Sequence, residues 1–433
     1  TKKKELFISI MASRRDLSMR PMHRRSTLVV HAREAATPPA LPFTPYLAFA
    51  FFNAFFLVFE FQLVVPTAQQ YVEALNVDAR LSGLLIGCNQ FGTAVLQLPV
   101  LLLLWLVPIK WALVLLVALM GVGNLLYALA LPLRSVTLLF AGRLLCSTTS
   151  GLQIGNSVID MELDDPQLEF TASRYISFLY ELGSVAAYVL AAFYMLVLTP
   201  SFGSGIVVNV ATICGYTSFG ACVLFLLAML TTLSPRKRLR ETPAATTRAP
   251  SPRSAILGVL FMFVLNAMEV LRQVTLFQLF GRRWVFDGAL DNMPAMALLA
   301  AFVFVGVLVT FPLDALFKPT PTGILPAFAG AAVSYLLVLP YPTHTTASVL
   351  LQAFGGVLFA FFQRSCFAYA NFLVLRYVKK SPHRRLLLAL NSMAMSCGIA
   401  MGATCATLFD LSAVPHMALL VAAVALIALV PRT

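Results

Sequence analysis

Long stretches of this chain run without a break in their apolar side chains, and they recur from one end to the other. FFNAFFLVFEFQLVV at 51–65 carries one ionisable residue, Glu60, and LLLLWLVPIKW at 101–111 carries only Lys110. A bilayer core is crossed by a helix of about 20 apolar residues. Only helices and closed barrels satisfy their backbone there, and barrel strands alternate apolar with polar residues. Continuous runs therefore predict an all-α polytopic membrane protein. Composition agrees: the 433 residues are 59% hydrophobic and 11% charged, whereas soluble domains run about 45–50% apolar and about 25% charged.

The runs place spanning cores near 46–70, 81–105, 111–131, 136–158, 172–198, 205–232, 255–279, 293–315, 322–340, 346–375, 386–408 and 413–430. Twelve transmembrane helices result, six on each side of the Pro-rich basic stretch SPRKRLRETPAATTRAPSPR at 234–253. The expected organisation is two pseudo-symmetric six-helix bundles, at 45–233 and 254–433, joined by a cytosolic linker at 234–253 and preceded by a basic tail at 1–44. That tail is rich in Arg and Ser and poor in acid, which fits a transit-type targeting segment and equally a disordered cytosolic tail.

The formal net charge is +13. In a soluble protein this would suggest nucleic acid; in a bilayer protein it is better read through loop positions. With a cytosolic N-terminus, 23 Lys and Arg fall on the inside and 4 on the outside, the remaining 4 lying within helices. That asymmetry follows the positive-inside rule. The acidic loop DMELDDPQLEF at 160–170 is also inside, but acidic residues contribute little to the rule. The membrane itself, whether endomembrane, plasma membrane or plastid envelope, is left open. The seven cysteines all fall in apolar segments without metal-ligand spacing, and read as small packing residues.

Particular residues carry a family likeness. LLFAGRLLCSTTSGLQIGNS at 138–157 has an arginine, Arg143, followed at intervals of four by Ser147 and Gly151. This resembles the fourth helix of the major facilitator superfamily. GVGNLLYALA at 121–130 and VVPTAQQYVEAL at 64–75 are similar to a subgroup that includes lysosomal and SPX-associated members. The family's loop motif between helices 2 and 3 is eroded here. Leu102 and Leu106 stand in place of its Gly and Asp, while Lys110 keeps its position. The second copy, TFPLDALFK at 310–318, retains Asp314 and Lys318 with Thr310 in place of Gly. In the family this motif locks the outward-facing state, so the resemblance implies gating roles for Lys110, Asp314 and Lys318. The fifth helix has Gly183 without the following proline of many antiporters, which favours symport.

Charges inside the membrane are the candidate site. A mid-bilayer ion costs at least about 2.5–3.5 kcal/mol, so such groups pair or face a cavity. Rising about 1.5 Å per residue in a core about 30 Å thick, Glu60 on helix 1 and Arg143 on helix 4 reach the same depth. The family packing puts both helices beside a central cavity. Helix 7 carries Glu269 and Arg272 at i and i+3, with Gln273 and Gln278 extending its polar face. Glu269 is the rough repeat-mate of Glu60. Helix 5 adds Tyr180 and Glu181, and helix 10 adds Gln363, Arg364, Asn371 and Arg376.

These residues define the expected function: a secondary transporter moving a small solute by alternating access, with its site between two halves. Glu60, Arg143, Glu269 and Arg272 are the candidate substrate-binding residues, the arginines drawing an anionic group. Glu60, Glu181 and Glu269 are the candidate proton-coupling residues, so protons, the solute and the lipid bilayer are the expected partners. Each has a plainer reading. Glu60 with Arg143 would also serve as a register-fixing salt bridge, Glu181 as a protonated packing residue, and Arg364 as an interfacial anchor. Asn53, Asn89, Gln90, Gln97, Asn124, Gln153 and Asn156 either line the cavity or act as helix-to-helix glue, Asn89, Gln90 and Gln97 chiefly the latter. The five histidines lie in tails, loops or helix ends. No Walker loop, GxSxG, HExxH or channel-filter motif occurs, so neither an enzyme, a cofactor, a metal nor a nucleic-acid partner is expected. An anion channel and a non-transporting sensor on the same fold are the competing classes.

Overall fold

A computed structural model of the chain describes residues 41–149, 152–163, 166–197, 208–235, 252–283, 304, 321–339, 346–378, 384–409 and 412–429. Regular structure among the described residues is helical throughout. In chain order the helices are α1 (Pro45–Val64), α2 (Ala68–Ala74), α3 (Leu81–Leu106), α4 (Ile109–Ala130), α5 (Val136–Cys146), α6 (Leu152–Glu162) and α7 (Pro166–Val197). They continue as α8 (Val210–Thr232), α9 (Pro252–Arg283), α10 (Pro321–Leu337), α11 (Thr346–Val378), α12 (Arg384–Leu408) and α13 (Ala413–Ala428). Every expected span falls on these helices except 293–315, which lies outside the described residues apart from Phe304. Among the described residues, six stretches are long and apolar enough to cross a membrane: Pro45–Ala74, Leu81–Leu106, Ile109–Ala130, Ala211–Thr232, Ala255–Thr275 and Leu386–Leu408.

Local chemistry sets where helices start and break. Thr44 caps α1, accepting from the Leu47 N–H at 3.2 Å, with Pro45 in the first turn. Asn209 and Thr212 form a reciprocal capping box at the start of α8. Such caps satisfy amide donors that no carbonyl of the helix can reach. Pro66 has no N–H to give the Gln62 carbonyl, and there α1 tightens into a 3₁₀ turn over Val65–Thr67 before α2. The fourth span, expected as one helix over 136–158, is broken: α5 ends at Cys146 and Ser147–Thr149 form a 3₁₀ turn. The Ser147 hydroxyl donates to the Leu144 carbonyl. The Thr148 hydroxyl donates to Leu145 at 2.9 Å and to Leu116 at 3.1 Å. Hydroxyls bonded to the preceding turn compete with the helix ladder and bend it.

Small residues let the helices touch backbone to backbone, as membrane helices do when no hydrophobic force drives them together. A Cβ at 183 would collide with the Phe55 carbonyl, so Gly183 seats α7 on α1. Gly398 and Gly402 meet the Phe263 and Ala267 carbonyls, seating α12 on α9. Gly83 and Gly87 bring α3 against Ala403, Thr407 and Ala400 of α12. Apolar side chains are turned outward as well: Leu224, Val421 and Phe91 are 70%, 64% and 58% exposed. Large exposed apolar faces of this kind belong against lipid.

Candidate functional site

Glu60 sits on the buried side of α1, 2% exposed, and Arg143 on α5 is 0% exposed. Arg143 Nη1 donates directly to Glu60 Oε1, the pairing expected from their matched depths. The second oxygen, Oε2, accepts from Asn89 Nδ2 of α3 at 3.4 Å. Gly142 explains how α5 brings the arginine in. A Cβ there would lie 2.7 Å from the Tyr127 amide nitrogen and from the Gly123 carbonyl. Only a glycine lets α5 approach α4 this closely, and the approach places the Arg143 guanidinium 5.8 Å from the Tyr127 ring centroid. Arg143 Nε and Nη2 are buried without a partner among the described residues.

The second pair lies on one helix. Arg272 Nη2 donates to Glu269 Oε1 at 2.6 Å and Gln273 Nε2 donates to the same oxygen at 2.7 Å. Spacings of three and four put all three on one face of α9. Arg272 is fully buried and its guanidinium lies 5.7 Å from the Phe359 ring centroid of α11. Glu269 Oε2, Arg272 Nε and Arg272 Nη1 have no partner.

A hydrogen-bonded chain joins α7, α1 and α9. Tyr188 O–H donates to Gln62 Oε1 at 2.7 Å, and Gln62 Nε2 donates to Gln273 Oε1 at 3.3 Å. Gln273 passes the chain on to Glu269. Every donor points the same way, toward the carboxylate, so each bond polarises the next. Gln62 and Gln273 are 211 residues apart.

Between α1, α3, α7 and α12 is a small cleft. Its walls are Leu57, Val58 and Phe61 of α1, Gln90 of α3, Tyr180 of α7, and Met395 and Ser396 of α12. Gln90 Nε2 donates to Asn89 Oδ1 at 3.5 Å, so an amide relay leads from the cleft wall to Glu60. Asn89 and Gln90, expected chiefly as helix glue, thus stand beside the first charge pair.

Other expected residues take different places. Glu181 is buried on α7, next to the cleft-lining Tyr180. Lys110 is not at a free loop: its Nζ donates to the Leu230 carbonyl at 3.0 Å and the Leu233 carbonyl at 2.5 Å. A cation there complements the C-terminal end of α8. Asp314 and Lys318 lie outside the described residues, as do the side chains of Gln153, Asn156, Gln278, Arg364, Asn371 and Arg376. Asn124 bonds back to the Met120 carbonyl of its own helix at 3.1 Å, and Gln363 to Leu265 at 3.2 Å. Sequence reasoning missed His416. It is buried at the start of α13, with Nε2 3.2 Å from the Thr275 hydroxyl and Nδ1 2.9 Å from the Tyr335 hydroxyl. Tyr335 stacks near Phe359, the ring under Arg272. No group of three or more metal-ligating side chains gathers among the described residues.

No family model matches the chain, and no characterised protein matches it in sequence. Solved structures do match. One is the human organic anion transporter MFSD10 (TETRAN), at 15% identity and a TM-score of 0.62 over 89% of this chain and 99% of that one. A peptide transporter, POT, in complex with alafosfalin matches at 13% identity and a TM-score of 0.61, over 89% and 94%. The nucleoside transporter NupG matches at 12% identity and a TM-score of 0.58, over 88% and 98%. At these identities the likeness establishes the fold alone, which the chain shares with these three transporters. With its apolar helices, the chain is an integral membrane protein.

Proposed function

We propose that the chain is a proton-coupled secondary transporter for a small anionic solute, of the major facilitator type. The observation that carries this reading is the pair of arginine–glutamate couples on α1, α5 and α9, with Gln62 and Gln273 tying α1 to α9 and a cleft against α1. In this reading the chain folds as two pseudo-symmetric six-helix bundles, 45–233 and 254–433, around a cytosolic linker at 234–253, with the N-terminal tail cytosolic. The bundles rock about a site at their interface, exposing it to each side in turn. The fold shared with anion, peptide and nucleoside transporters supports the class.

Charge balance supports the coupling. Each couple is neutral as it stands, so an arriving anion buries net negative charge, which is unfavourable in a low-dielectric site. A proton taken up by Glu60, Glu181 or Glu269 restores the balance. Arg143 and Arg272 hold the anion; Lys110, with Asp314 and Lys318, takes part in gating.

The test is transport current in proteoliposomes on a solid-supported membrane, with anionic and neutral metabolites at two pH values. A saturable, pH-dependent current that Glu60→Gln and Arg143→Gln abolish is expected. Normal rate and pH dependence in both variants would overturn the reading.

A further inference from the structure

Glu60 and Arg143 use each other unevenly. Glu60 accepts on both oxygens, from Arg143 Nη1 and from Asn89. Arg143 donates through Nη1 alone, and its Nε and Nη2 are buried and bare. Which atoms are bare decides what they can hold. In a guanidinium Nη1 lies on the Cδ side, so Nε–H points to the Nη2 side. Nε–H and one N–H of Nη2 therefore run parallel and form the planar fork that takes two oxygens of one carboxylate or phosphate.

Arg272 does not offer the same edge. Its bond to Glu269 is made by Nη2, so one of the two nitrogens of that edge already carries an acceptor. Its bare atoms, Nε and Nη1, do not share an edge. Among the described residues the two buried guanidiniums thus divide: one presents an intact fork, the other does not. The intact fork lies on a guanidinium whose orientation is held twice, by Glu60 and by the Tyr127 ring at 5.8 Å. A charged donor edge kept dry is unfavourable until an acceptor fills it. The couple lies two hydrogen bonds from the cleft wall: Gln90 bonds Asn89 and Asn89 bonds Glu60.

We propose that the Nε–Nη2 edge of Arg143 is the subsite for one oxoanion group of the solute, a carboxylate, phosphate or sulfate held through two oxygens at once. This rests on the transporter reading and narrows its substrate to solutes bearing such a group. A halide, having a single centre, meets the two prongs only at bent angles and fits the fork less well than two oxygens do. A lysine keeps the charge but has no planar fork.

Equilibrium binding separates the subsite from transport. The purified full chain in lipid nanodiscs is titrated with sodium acetate, phosphate or sulfate, and with sodium chloride, at constant ionic strength, and thermal stabilisation is read. At least one oxoanion is expected to stabilise the wild type where chloride does not. Arg143→Lys is expected to weaken that response by about tenfold or more. If Arg143→Lys does not fold, the Glu60→Gln/Arg143→Gln variant, which buries no charge, replaces it and should lose the response too. A wild type stabilised by none of the three oxoanions, or a response retained in either variant, overturns the subsite. Oxoanion binding lost in Arg143→Lys, with no current from the wild type, would keep the subsite and sink the transporter reading. A saturable current of a solute lacking an oxoanion, unchanged in Arg143→Lys, would do the reverse.

Discussion

The Glu60–Arg143 and Glu269–Arg272 couples have the same composition and different wiring. The first joins two helices, and its carboxylate is 2% exposed with both oxygens bonded. The second lies within one helix turn, and its carboxylate is 20% exposed with Oε2 bare. In the first, the arginine has the free edge. In the second, the carboxylate has a free oxygen, and Gln273 shares the other. The long-range couple ties two helices directly and presents donors; the local couple lies on one helix, reaches α1 only through Gln273 and Gln62, and leaves one carboxylate oxygen bare. Chemically equal pairs can therefore serve different steps of one cycle.

The comparison breaks most visibly in stability. Arg143→Leu strands Glu60 in the core, and losing one partner of a buried pair costs about 3–5 kcal/mol. Thermal unfolding in detergent should show this loss, and Glu60→Leu/Arg143→Leu should recover most of it. A double variant no more stable than the single one would mean that the pair does not act as a unit. Arg272→Leu should lose less, about 1–3 kcal/mol, because Glu269 keeps its bond from Gln273 and its partial exposure. Equal losses at 143 and 272 would erase the distinction drawn here.

Smaller effects sharpen it. Gln62→Leu removes the link between α1 and α9, a net loss of about 1 kcal/mol, or roughly fivefold in an equilibrium between conformations. Combining it with Gln273→Leu should add little beyond the larger single effect, since the two share one bond. Additive losses would show that the bond at 3.3 Å carries no coupling. Lys110→Met frees the terminal carbonyls of α8 and should lower stability by about 1 kcal/mol. An unchanged melting temperature would leave Lys110 to gating alone.

The finest distinction is in pH dependence. A proton adds to Glu269 Oε2 without breaking a bond, whereas at Glu60 it must displace Asn89 or Arg143. With Glu269 as the coupling carboxylate of the proposed transporter, the transport rate should rise as pH falls. Glu269→Gln is neutral at every pH, so its rate should no longer rise as pH falls; Glu60→Gln should be slow but keep the slope. The opposite pattern, read as current against pH, would assign the proton to Glu60.

The sequence by itself determined the membrane class, most of the helix positions among the described residues, and the first charge pair. Each follows from a one-dimensional rule: bilayer thickness sets the length of an apolar run, and helical rise sets the depth of Glu60 and Arg143. The local pair at 269 and 272 was legible from spacing alone. Only the tertiary structure decided the rest. Nothing near Gln62 marks Gln273 as its partner, because a contact across 211 residues depends on which helices pack. The break after Cys146 comes from hydroxyls bonding Leu144, Leu145 and Leu116, and apolar counting does not see it. His416 looked like a helix-end residue until α9 and α10 were folded against it. The sequence also cannot say which edge of a guanidinium is left bare. Donor geometry belongs to side chains fixed by neighbours from other helices, and it is that geometry which separates Arg143 from Arg272.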